Sequence, residues 1–260
     1  MNTQKEILQV QDLTKIYGKG ANCTEALKGI GFHVLEGEFL GIMGASGSGK
    51  TTLLNCIATM LRPTSGKIIL RGKDISGFRG GALADYRGKE IGYLFQEFEL
   101  LDNLTARENM TLPLSLHGVA AAEAEERIQS LAELLDIEPV LDKFPAQMSG
   151  GQKQRVAAAR ALIADPDLVL ADEPTGALDS KNSRTLMERL SLINREQHKT
   201  IMMVTHDANA ASYCSRILLI QDGCLFHELR RNRQTESNAE FYERIVDVIA
   251  QLGGGSANVL

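Results

Sequence analysis

The sequence contains a glycine-rich segment whose residue types and order suit the binding of a phosphate chain. It matches G-x-x-x-x-G-K-[ST] at every position, as Gly44, Ala45, Ser46, Gly47, Ser48, Gly49, Lys50 and Thr51. Glycines let backbone N–H groups wrap closely around phosphate, and a following helix presents its positive end to the anion. Lys50 can reach the outer phosphates, and the Thr51 hydroxyl can ligate Mg²⁺. A chance match in a glycine-rich turn is the alternative, but an apolar strand before the segment and a helix after it favour a nucleotide site.

Two carboxylates end an apolar strand much later in the chain. The run Asp167–Ala171 is followed directly by Asp172 and Glu173. Such a strand brings both carboxylates to the carboxyl edge of a sheet, where ligands of open α/β sheets bind. Asp172 would hold Mg²⁺ directly or through water, and Glu173 would polarise the attacking water as a general base. A lone acidic strand end is usually only solvated, but its combination with a phosphate loop predicts metal-assisted phosphoryl transfer.

A second glycine cluster precedes another predicted helix, Lys153–Ala164. Its residues are Met148, Ser149, Gly150, Gly151 and Gln152. Ser149 suits an N-cap, and consecutive glycines expose backbone N–H groups to an anion. One nucleotide has no obvious need for two such helix starts in one subunit, so we expect the second to serve ATP bound on another copy. We also expect an ordinary helix cap to need a single small polar residue rather than this whole cluster.

The elements that must position these residues follow from the hydrophobic pattern. Buried parallel strands read as continuous apolar runs because helices cover both faces of the sheet. The pattern predicts strands at Ile7–Leu13, Gly31–Leu35, Glu38–Met43, Lys67–Leu70, Ile91–Phe95, Asp167–Ala171, Lys199–Thr205 and Ser215–Gln221. It predicts helices at Lys50–Leu61, Ala120–Leu135, Lys153–Ala164 and Ser183–Glu196. This alternation indicates an α/β fold with a helical insertion between strands of the sheet.

Composition and charge exclude several classes of protein. Of the 260 residues, 43% are hydrophobic and 23% are charged, which is typical of a globular chain. A net charge of −5 and the absence of Trp argue against a general nucleic-acid binder. Four scattered cysteines without a C-x-x-C pair indicate reduced thiols rather than disulfides or a zinc site. No apolar window is long enough to span a membrane, and the first residues lack a signal-peptide layout, so we expect a cytoplasmic protein.

Taken in this order, the motifs resemble those of the ATP-binding subunits of ABC transporters, over nearly the whole chain. The resemblance implies a P-loop NTPase fold with an ABC-type core, in which a mixed sheet and an antiparallel β subdomain accompany a helical subdomain. It implies that 1–96 and 165–235 form the RecA-like core with its β subdomain, that 97–164 forms the helical signature subdomain, and that 236–260 forms a C-terminal helix and flexible tail.

The same resemblance implies a role for each matching residue. Tyr17 would stack on adenine, and Thr52 would join Gly44–Thr51, the Walker A motif, in contacting ATP. Ser149, Gly150, Gly151 and Gln152 would form the signature, and Asp179 of the D-loop would also contact nucleotide. The catalytic residues would be Lys50, Gln96, Glu173 and the switch histidine His206. The Mg²⁺ ligands would be Thr51, Gln96 and Asp172.

A finer resemblance is to the BceA-type ATPases of antimicrobial-peptide resistance and sensing transporters, and more loosely to those of the MacB and LolD types. It is carried by Gly44–Asn55, Leu100–Pro113, Ala171–Lys181 and Met203–Cys214. It implies a homodimer that forms on ATP binding and drives a separate multi-spanning permease, so that the chain would lie peripherally on the inner face of the membrane. The implied cargo is a peptide antibiotic of the bacitracin or lantibiotic kind. Transport of lipoproteins, macrolides or other peptides is the alternative.

Two other classes of ABC protein fit the sequence less well. Soluble ABC ATPases that act on DNA or ribosomes usually carry tandem cassettes or long coiled-coil insertions, whereas this chain has one cassette and an ordinary helical insertion. Importer ATPases with a regulatory domain need more residues than follow His206. A basic cluster, 230–233, is expected to be a solvated loop, and an apolar helical stripe that includes Phe241 and Ile245 is expected to pack on the domain.

Overall fold

The computed structural model describes residues 5–18, 20, 22–232 and 234–253. The predicted tail beyond the C-terminal helix and Arg233 of the basic cluster lie outside the described residues. The chain forms two compact units, one made of its described residues up to Gly77 and from Met202 onward, the other of Phe78–Ile201. The expected division into 1–96 with 165–235, 97–164 and 236–260 stays a prediction. Within the described ranges, no helix is long and apolar enough to cross a membrane.

The described residues contain ten strands and eight α-helices. The strands are β1 Glu6–Tyr17, β2 Thr24–Leu35, β3 Phe39–Met43, β4 Ser65–Leu70, β5 Lys73–Asp74, β6 Ile91–Leu94, β7 Leu168–Asp172, β8 Ile201–Thr205, β9 Arg216–Gln221 and β10 Cys224–Arg230. The helices are α1 Lys50–Ile57, α2 Gly81–Asp85, α3 Ala106–Leu116, α4 Ala121–Leu135, α5 Gly150–Leu162, α6 Ser180–Gln197, α7 Ala208–Ala211 and α8 Asn238–Gly253. A π-helical turn spans Tyr86–Glu90, and 3₁₀ turns span Glu138–Val140 and Pro145–Gln147.

One sheet of the first unit is antiparallel, with strand order β2-β1-β4-β5. Strands β1 and β2 pair from Glu6 opposite Leu35 to Tyr17 opposite Thr24, so both are longer than the alternation of apolar residues predicts. The register shifts several times along this pair, including between Val10 and Leu13. Each shift moves later side chains to the other face of the sheet, which interrupts the alternation in the sequence. This sheet supplies the predicted antiparallel β subdomain.

The second sheet of this unit places β3 between β9 and β8, with β10 on the far side of β9. Strand β3 runs parallel to β9, and β10 runs antiparallel to β9. Every residue of β3 and β8 is buried, as the two apolar runs predict. Helix α1 starts at Lys50 as predicted but ends at Ile57 rather than Leu61, because Thr59 adopts a left-handed backbone conformation that stops the helix.

The second unit combines two parallel strands with four longer helices, α3 to α6. Strands β6 and β7 pair from Ile91 opposite Leu168 to Leu94 opposite Ala171. A side chain on Gly92 would place its Cβ 2.0 Å from the Ala161 carbonyl oxygen, so glycine lets β6 lie directly against α5. The predicted helix Ala120–Leu135 is confirmed by α4, which begins at Ala121 and buries Ile128, Leu131 and Leu135, with Leu134 half-buried.

A buried ion pair joins β9 to the turn before β3. The Arg216 guanidinium makes two hydrogen bonds to the Glu38 carboxylate, of 2.6 and 3.0 Å, and the two side chains are only 4% and 9% exposed. Arg216 also donates to the His33 carbonyl. Desolvating both charges is costly, so the pair depends on this two-point geometry. It fixes the start of the strand that leads into the phosphate loop.

Replacing Glu38 with alanine should lower the free energy of unfolding by about 3 kcal/mol, because Arg216 would remain buried without its main counter-charge. The matched control is Glu36→Ala, which removes the exposed pair between Glu36 and Arg71 and should cost less than about 1 kcal/mol. Urea denaturation of both variants measures the difference. Equal losses for the two variants would contradict a special role for the buried pair.

Candidate functional site

The loop 44–49 lies between β3 and α1, as its motif predicts. A Cβ on Gly44 would fall 2.2 Å from the Ile220 carbonyl oxygen, and a Cβ on Gly49 would fall 2.5 Å from the Ala26 carbonyl oxygen. Gly49 also has a φ of 104° and Gly47 a φ of 79°, in the left-handed region that glycine adopts without strain. The glycines are therefore required by the close approach and the curvature of the loop itself.

Helix α1 begins without a side-chain cap. Its N-cap residue is Gly49, which has no side chain to accept a hydrogen bond from the first turn. By contrast, Thr105, Ser149 and Asp179 cap α3, α5 and α6 with their own oxygen atoms. The first turn of a helix needs acceptors for its N–H groups and favours negative charge. The start of α1 is thus suited to oxygen atoms of an anionic ligand.

Two side chains of the loop strengthen this fit to a phosphate chain. Ser48 Oγ is buried and has no hydrogen-bond partner among the described residues. Lys50 is 5% exposed, and its ammonium group donates to the carbonyl oxygens of Gly44 at 2.7 Å and Ala45 at 2.9 Å. The lysine therefore lies along the loop with its charge next to the cradle. Phosphate oxygens would accept a hydrogen bond from the Ser48 hydroxyl and would lie beside the Lys50 charge.

Tyr17 lies at the end of β1, next to α1. It is 42% exposed, and its hydroxyl is 3.4 Å from Thr52 Oγ1. The ammonium group of Lys15 is 5.1 Å from the centre of the tyrosine ring. An exposed aromatic ring beside the first turn of α1 is suited to stacking on a planar base.

His206 follows β8 directly and is exposed. The next residue, Asp207, caps the short helix α7 by accepting from Asn209 N, and its own N–H donates to Thr205 Oγ1. These two bonds fix the backbone on both sides of the histidine. The arrangement leaves the imidazole at the surface of the first unit, at the end of the strand that neighbours β3.

In the second unit, β7 ends at Asp172 rather than at Ala171, so this carboxylate belongs to the last strand residue. The Tyr93 hydroxyl donates to Asp172 Oδ2 at 3.3 Å. Burial and the Asp172 charge both raise the pKa of Tyr93, so the phenol stays protonated and remains a donor at neutral pH. Tyr93 therefore orients the carboxylate predicted to hold Mg²⁺.

Glu173 stands on a strained backbone. Its φ is +43°, a left-handed conformation that residues with a Cβ rarely adopt. The Gly176 N–H donates to the Glu173 carbonyl at 2.9 Å and closes a tight turn. A Cβ on Gly176 would fall 2.9 Å from Gln96 Nε2, so the missing side chain makes room for Gln96 beside the turn. The structure thus brings Gln96 next to the turn that begins at Glu173.

The signature segment is a complete capping box at the start of α5. Ser149 Oγ accepts from the Gln152 N–H, and Gln152 Oε1 accepts from the Ser149 N–H at 2.9 Å. The expectation that an ordinary cap needs only one polar residue is wrong, because a Ser-x-x-Gln cap uses both ends of the motif. For the same reason α5 begins at Gly150 and not at Lys153. Ser149 and Gln152 therefore have a local structural role whatever else they bind.

The two glycines of the signature differ. A Cβ on Gly151 would fall 2.0 Å from Asn182 Oδ1 and 2.9 Å from the Asn182 Cβ, so α6 packs too closely for any side chain. Gly150 is exposed, and the nearest atom to its Cβ position is Phe98 Cζ at 3.7 Å. Packing therefore explains Gly151 but not Gly150.

Asp179 is the N-cap of α6. Its carboxylate accepts from the Asn182 N–H at 2.8 Å and from Asn182 Nδ2 at 2.7 Å. These bonds to Asn182 lower the pKa of Asp179 below the usual range of an aspartate. They also hold Asn182 where it contacts the backbone of Gly151.

Sequence reasoning missed two residues that organise this unit. Gln154 of α5 is fully buried, and its Nε2 donates to the carbonyls of Phe95 at 2.9 Å and Pro174 at 2.8 Å. Tyr93 is the second, through its bond to Asp172. Tyr93 is a single polar side chain within an apolar stretch, whereas Gln154 lies between Lys153 and Arg155, so neither has a distinctive signal in the sequence.

The predicted site residues fall into two groups. The first unit holds Tyr17, Gly44, Ala45, Ser46, Gly47, Ser48, Gly49, Lys50, Thr51, Thr52 and His206. The second unit holds Gln96, Ser149, Gly150, Gly151, Gln152, Asp172, Glu173 and Asp179. Each group has the local geometry described above, and their individual roles remain predictions.

Comparison with known proteins supplies the family. A family model described as ABC transporter matches residues 27–176. The ABC transporter ATP-binding protein YxdL of Bacillus subtilis is 48% identical and covers 96% of each chain. The bacitracin export ATP-binding protein BceA of Halalkalibacterium halodurans is 45% identical over 95% of this chain and 97% of its own. The lipoprotein-releasing system ATP-binding protein LolD of Geobacter metallireducens is 43% identical over 84% of this chain and 94% of its own.

A solved structure agrees with these relatives. The ATP-binding cassette MJ0796 of Methanocaldococcus jannaschii, described as dimeric, in a post-hydrolysis state and bound to ADP and Pi, is 38% identical with a TM-score of 0.79. The match covers 86% of this chain and 98% of that one. The predicted P-loop fold of the ABC type is therefore confirmed. The chain belongs to the ABC transporter family, in which it is an ATP-binding subunit that hydrolyses ATP.

Proposed function

We propose that two copies of this chain close around ATP and drive a separate membrane permease that handles peptide antibiotics of the bacitracin or lantibiotic kind. The observation that carries the nucleotide part is the start of α1, which has a glycine N-cap and a buried Ser48 hydroxyl without a partner in the described chain. Both features leave room for acceptor atoms from a ligand. The phosphate oxygens of ATP would supply such atoms.

The first unit would hold the nucleotide itself. Tyr17 would stack on the base, while the loop from Gly44, with Lys50, Thr51 and Thr52, would surround the phosphates. Mg²⁺ would take oxygen ligands from Thr51, Gln96 and Asp172 and from the phosphates, and it would neutralise charge on the transferred phosphoryl group. No cluster of three or more His, Cys, Asp or Glu side chains in the described residues is arranged to hold a metal alone. Magnesium at phosphoryl-transfer sites needs only one or two protein carboxylates, so this set fits the ion.

Hydrolysis would depend on groups that hold and activate water. Glu173 would accept a proton from the attacking water, and Gln96 would orient that water beside the turn. The His206 imidazole would donate toward the phosphate being released. The left-handed backbone at Glu173 sets the direction in which its side chain leaves the turn, which favours a preorganised base over a mobile one.

The second copy would complete each site. Its Ser149, Gly150, Gly151 and Gln152 would contact the outer phosphate, with Asp179 nearby, in a head-to-tail pair that encloses two nucleotides. Support comes from the exposed start of α5 and from the dimeric state described for MJ0796. Closure would then require ATP, and loss of the outer phosphate would loosen the pair. The permease would receive this movement, and the chain would lie at the inner face of the membrane only through that partner.

The cargo assignment rests on the relatives. YxdL and BceA match 95% or more of this chain, whereas LolD matches 84%. BceA is named for bacitracin export. The greater coverage supports a peptide-antibiotic system over lipoprotein release, which remains the alternative function.

Glu173→Gln should reduce ATP turnover by about 10²-fold or more while ATP binding is kept, because the base is lost and the phosphate loop is intact. ATP should then also stabilise the dimer, as measured by size-exclusion chromatography with ATP and Mg²⁺.

Lys50→Ala is the contrasting variant, and calorimetry should show its ATP affinity reduced about tenfold or more. Wild-type turnover in Glu173→Gln, or unchanged affinity in Lys50→Ala, would refute the assigned roles.

Gly150→Ala and Gly151→Ala should separate ligand binding from packing at the signature. Gly151→Ala should lower the free energy of unfolding by about 1–3 kcal/mol, because Asn182 must move. Gly150→Ala should change it by less than about 1 kcal/mol and still lower ATP turnover, because the new methyl group blocks approach of the phosphate. Denaturation and steady-state turnover measure the two effects. A Gly150→Ala variant with normal turnover would argue against contact with nucleotide.

The cargo is tested in cells that express this chain with the membrane protein that co-purifies with it. The wild-type pair should raise the bacitracin concentration that stops growth several-fold, and the same pair carrying Glu173→Gln should not. Lipoprotein release from membrane vesicles is measured in parallel. Release that depends on Glu173, without any change in bacitracin tolerance, would replace the antibiotic assignment with the alternative.

A further inference from the structure

We infer that Gln154 is a positioning residue that ties the signature helix to Gln96 and Glu173 of the same copy, and so couples the two ATP sites of the dimer. This inference rests on the proposed function, because only in the head-to-tail dimer do the signature and these two residues serve different nucleotides. All contacts that support it lie within the second unit.

The contacts of Gln154 are two hydrogen bonds from one amide nitrogen. Nε2 donates to the Phe95 carbonyl at 2.9 Å and to the Pro174 carbonyl at 2.8 Å. Phe95 directly precedes Gln96, and Pro174 directly follows Glu173. One buried side chain therefore holds the backbone next to both the predicted water-orienting residue and the predicted base.

The position of the Gln154 amide leaves one of its polar atoms without a hydrogen bond. Both hydrogens of the Gln154 NH₂ group are used, whereas its Oε1 atom is buried and lacks a partner among the described residues. An apolar side chain of similar size would fill the same space without burying an unsatisfied oxygen. Packing alone therefore does not account for glutamine at 154, and its two donated bonds do.

The signature and Gln154 belong to the first five residues of one helix. Ser149 caps α5, Gly150 begins it, and Gln154 lies about one turn later. A helix turn moves as a rigid body, so any displacement of the capped end also displaces Gln154 Nε2. Bonds of 2.8 and 2.9 Å weaken steeply when stretched by an ångström. A displacement of α5 would therefore loosen two of the hydrogen bonds that hold the backbone beside Gln96 and Glu173.

In the dimer, this linkage connects two nucleotides. Phosphate bound at Ser149 and Gly150 of one copy would fix α5 of that copy, and Gln154 would then fix Gln96 and Glu173, which act on the other nucleotide. Coupling of this kind is reciprocal in binding free energy. ATP at each site would prepare the catalytic groups of the opposite site, and turnover would rise cooperatively with ATP concentration.

The test compares Gln154→Met with a matched control in the purified full-length chain. Methionine keeps the length of the side chain and removes both donors. The control is Asn194→Leu, which removes another buried amide of the same unit whose Nδ2 donates to the Lys199 carbonyl, away from Gln96 and Glu173. Gln154→Met should lower kcat about tenfold or more, leave ATP affinity within about twofold, and reduce the Hill coefficient for ATP toward 1. Asn194→Leu should keep the wild-type Hill coefficient.

The outcomes separate this inference from the proposed function. If Glu173→Gln abolishes turnover but Gln154→Met keeps the wild-type kcat or Hill coefficient, the coupling role is wrong and the proposed function stands. If Glu173→Gln is fully active, the proposed function itself fails. Should Gln154→Met not fold, Gln154→Glu replaces it, since only a protonated carboxyl can donate to a carbonyl. Its turnover relative to wild type should rise as the pH falls, and a pH-independent ratio would overturn the inference.

Discussion

The site depends on one requirement of backbone chemistry, that a helix start needs acceptors for its N–H groups. Most of the longer helices of the second unit meet it with their own side chains, through Thr105, Ser149 and Asp179. Helix α1 does not, because a glycine occupies its N-cap. The close approach of Gly44 and Gly49 to neighbouring carbonyls then leaves no space for a side chain that could serve instead. Oxygen atoms of an anionic ligand would supply such acceptors, and the glycine content of the loop leaves space for them.

In the second unit, side-chain contacts hold short turns in fixed conformations. They are single contacts to backbone or carboxylate, from Tyr93 to Asp172 and from Gln154 to two carbonyls. Such a hydrogen bond contributes about 1 kcal/mol when both groups are neutral, as for Gln154, and somewhat more when the acceptor is a carboxylate, as for Tyr93 and Asp172. The turns therefore rely in part on contacts of modest strength. Their geometry can respond to changes in the position of α5, which a larger apolar interface would resist.

The sequence predicts well those parts whose pattern is local. The apolar run before the phosphate loop, the start of α1 and the helix at Ala121–Leu135 follow from spacing and composition. The extent of β1 and β2 does not, because register shifts along the pair interrupt the alternation. The start of α5 is missed for another reason, since Ser149 and Gln152 act together as a cap although they resemble part of a glycine-rich loop.

Residues that matter through tertiary contacts leave almost no trace in the sequence. The sequence around Tyr93 is apolar and that around Gln154 is charged, and the meaning of both residues comes only from the carbonyls and carboxylate that the fold brings to them. Gly151 shows the opposite case. Its motif suggests a phosphate contact, whereas the packing of Asn182 already demands glycine there. The motif therefore correctly marks Gly151 as a position that needs glycine, but phosphate binding is not the full reason for that need.

The left-handed backbone at Glu173 has a consequence for laboratory evolution. Glycine adopts this conformation freely, so replacing the glutamate would relieve strain while removing the carboxylate. If Glu173 is the predicted base, a screen that rewards heat resistance alone would enrich variants of this residue that have lost turnover. A screen for stable variants should therefore also require ATP turnover, because stability and the predicted catalytic role place opposite demands on residue 173.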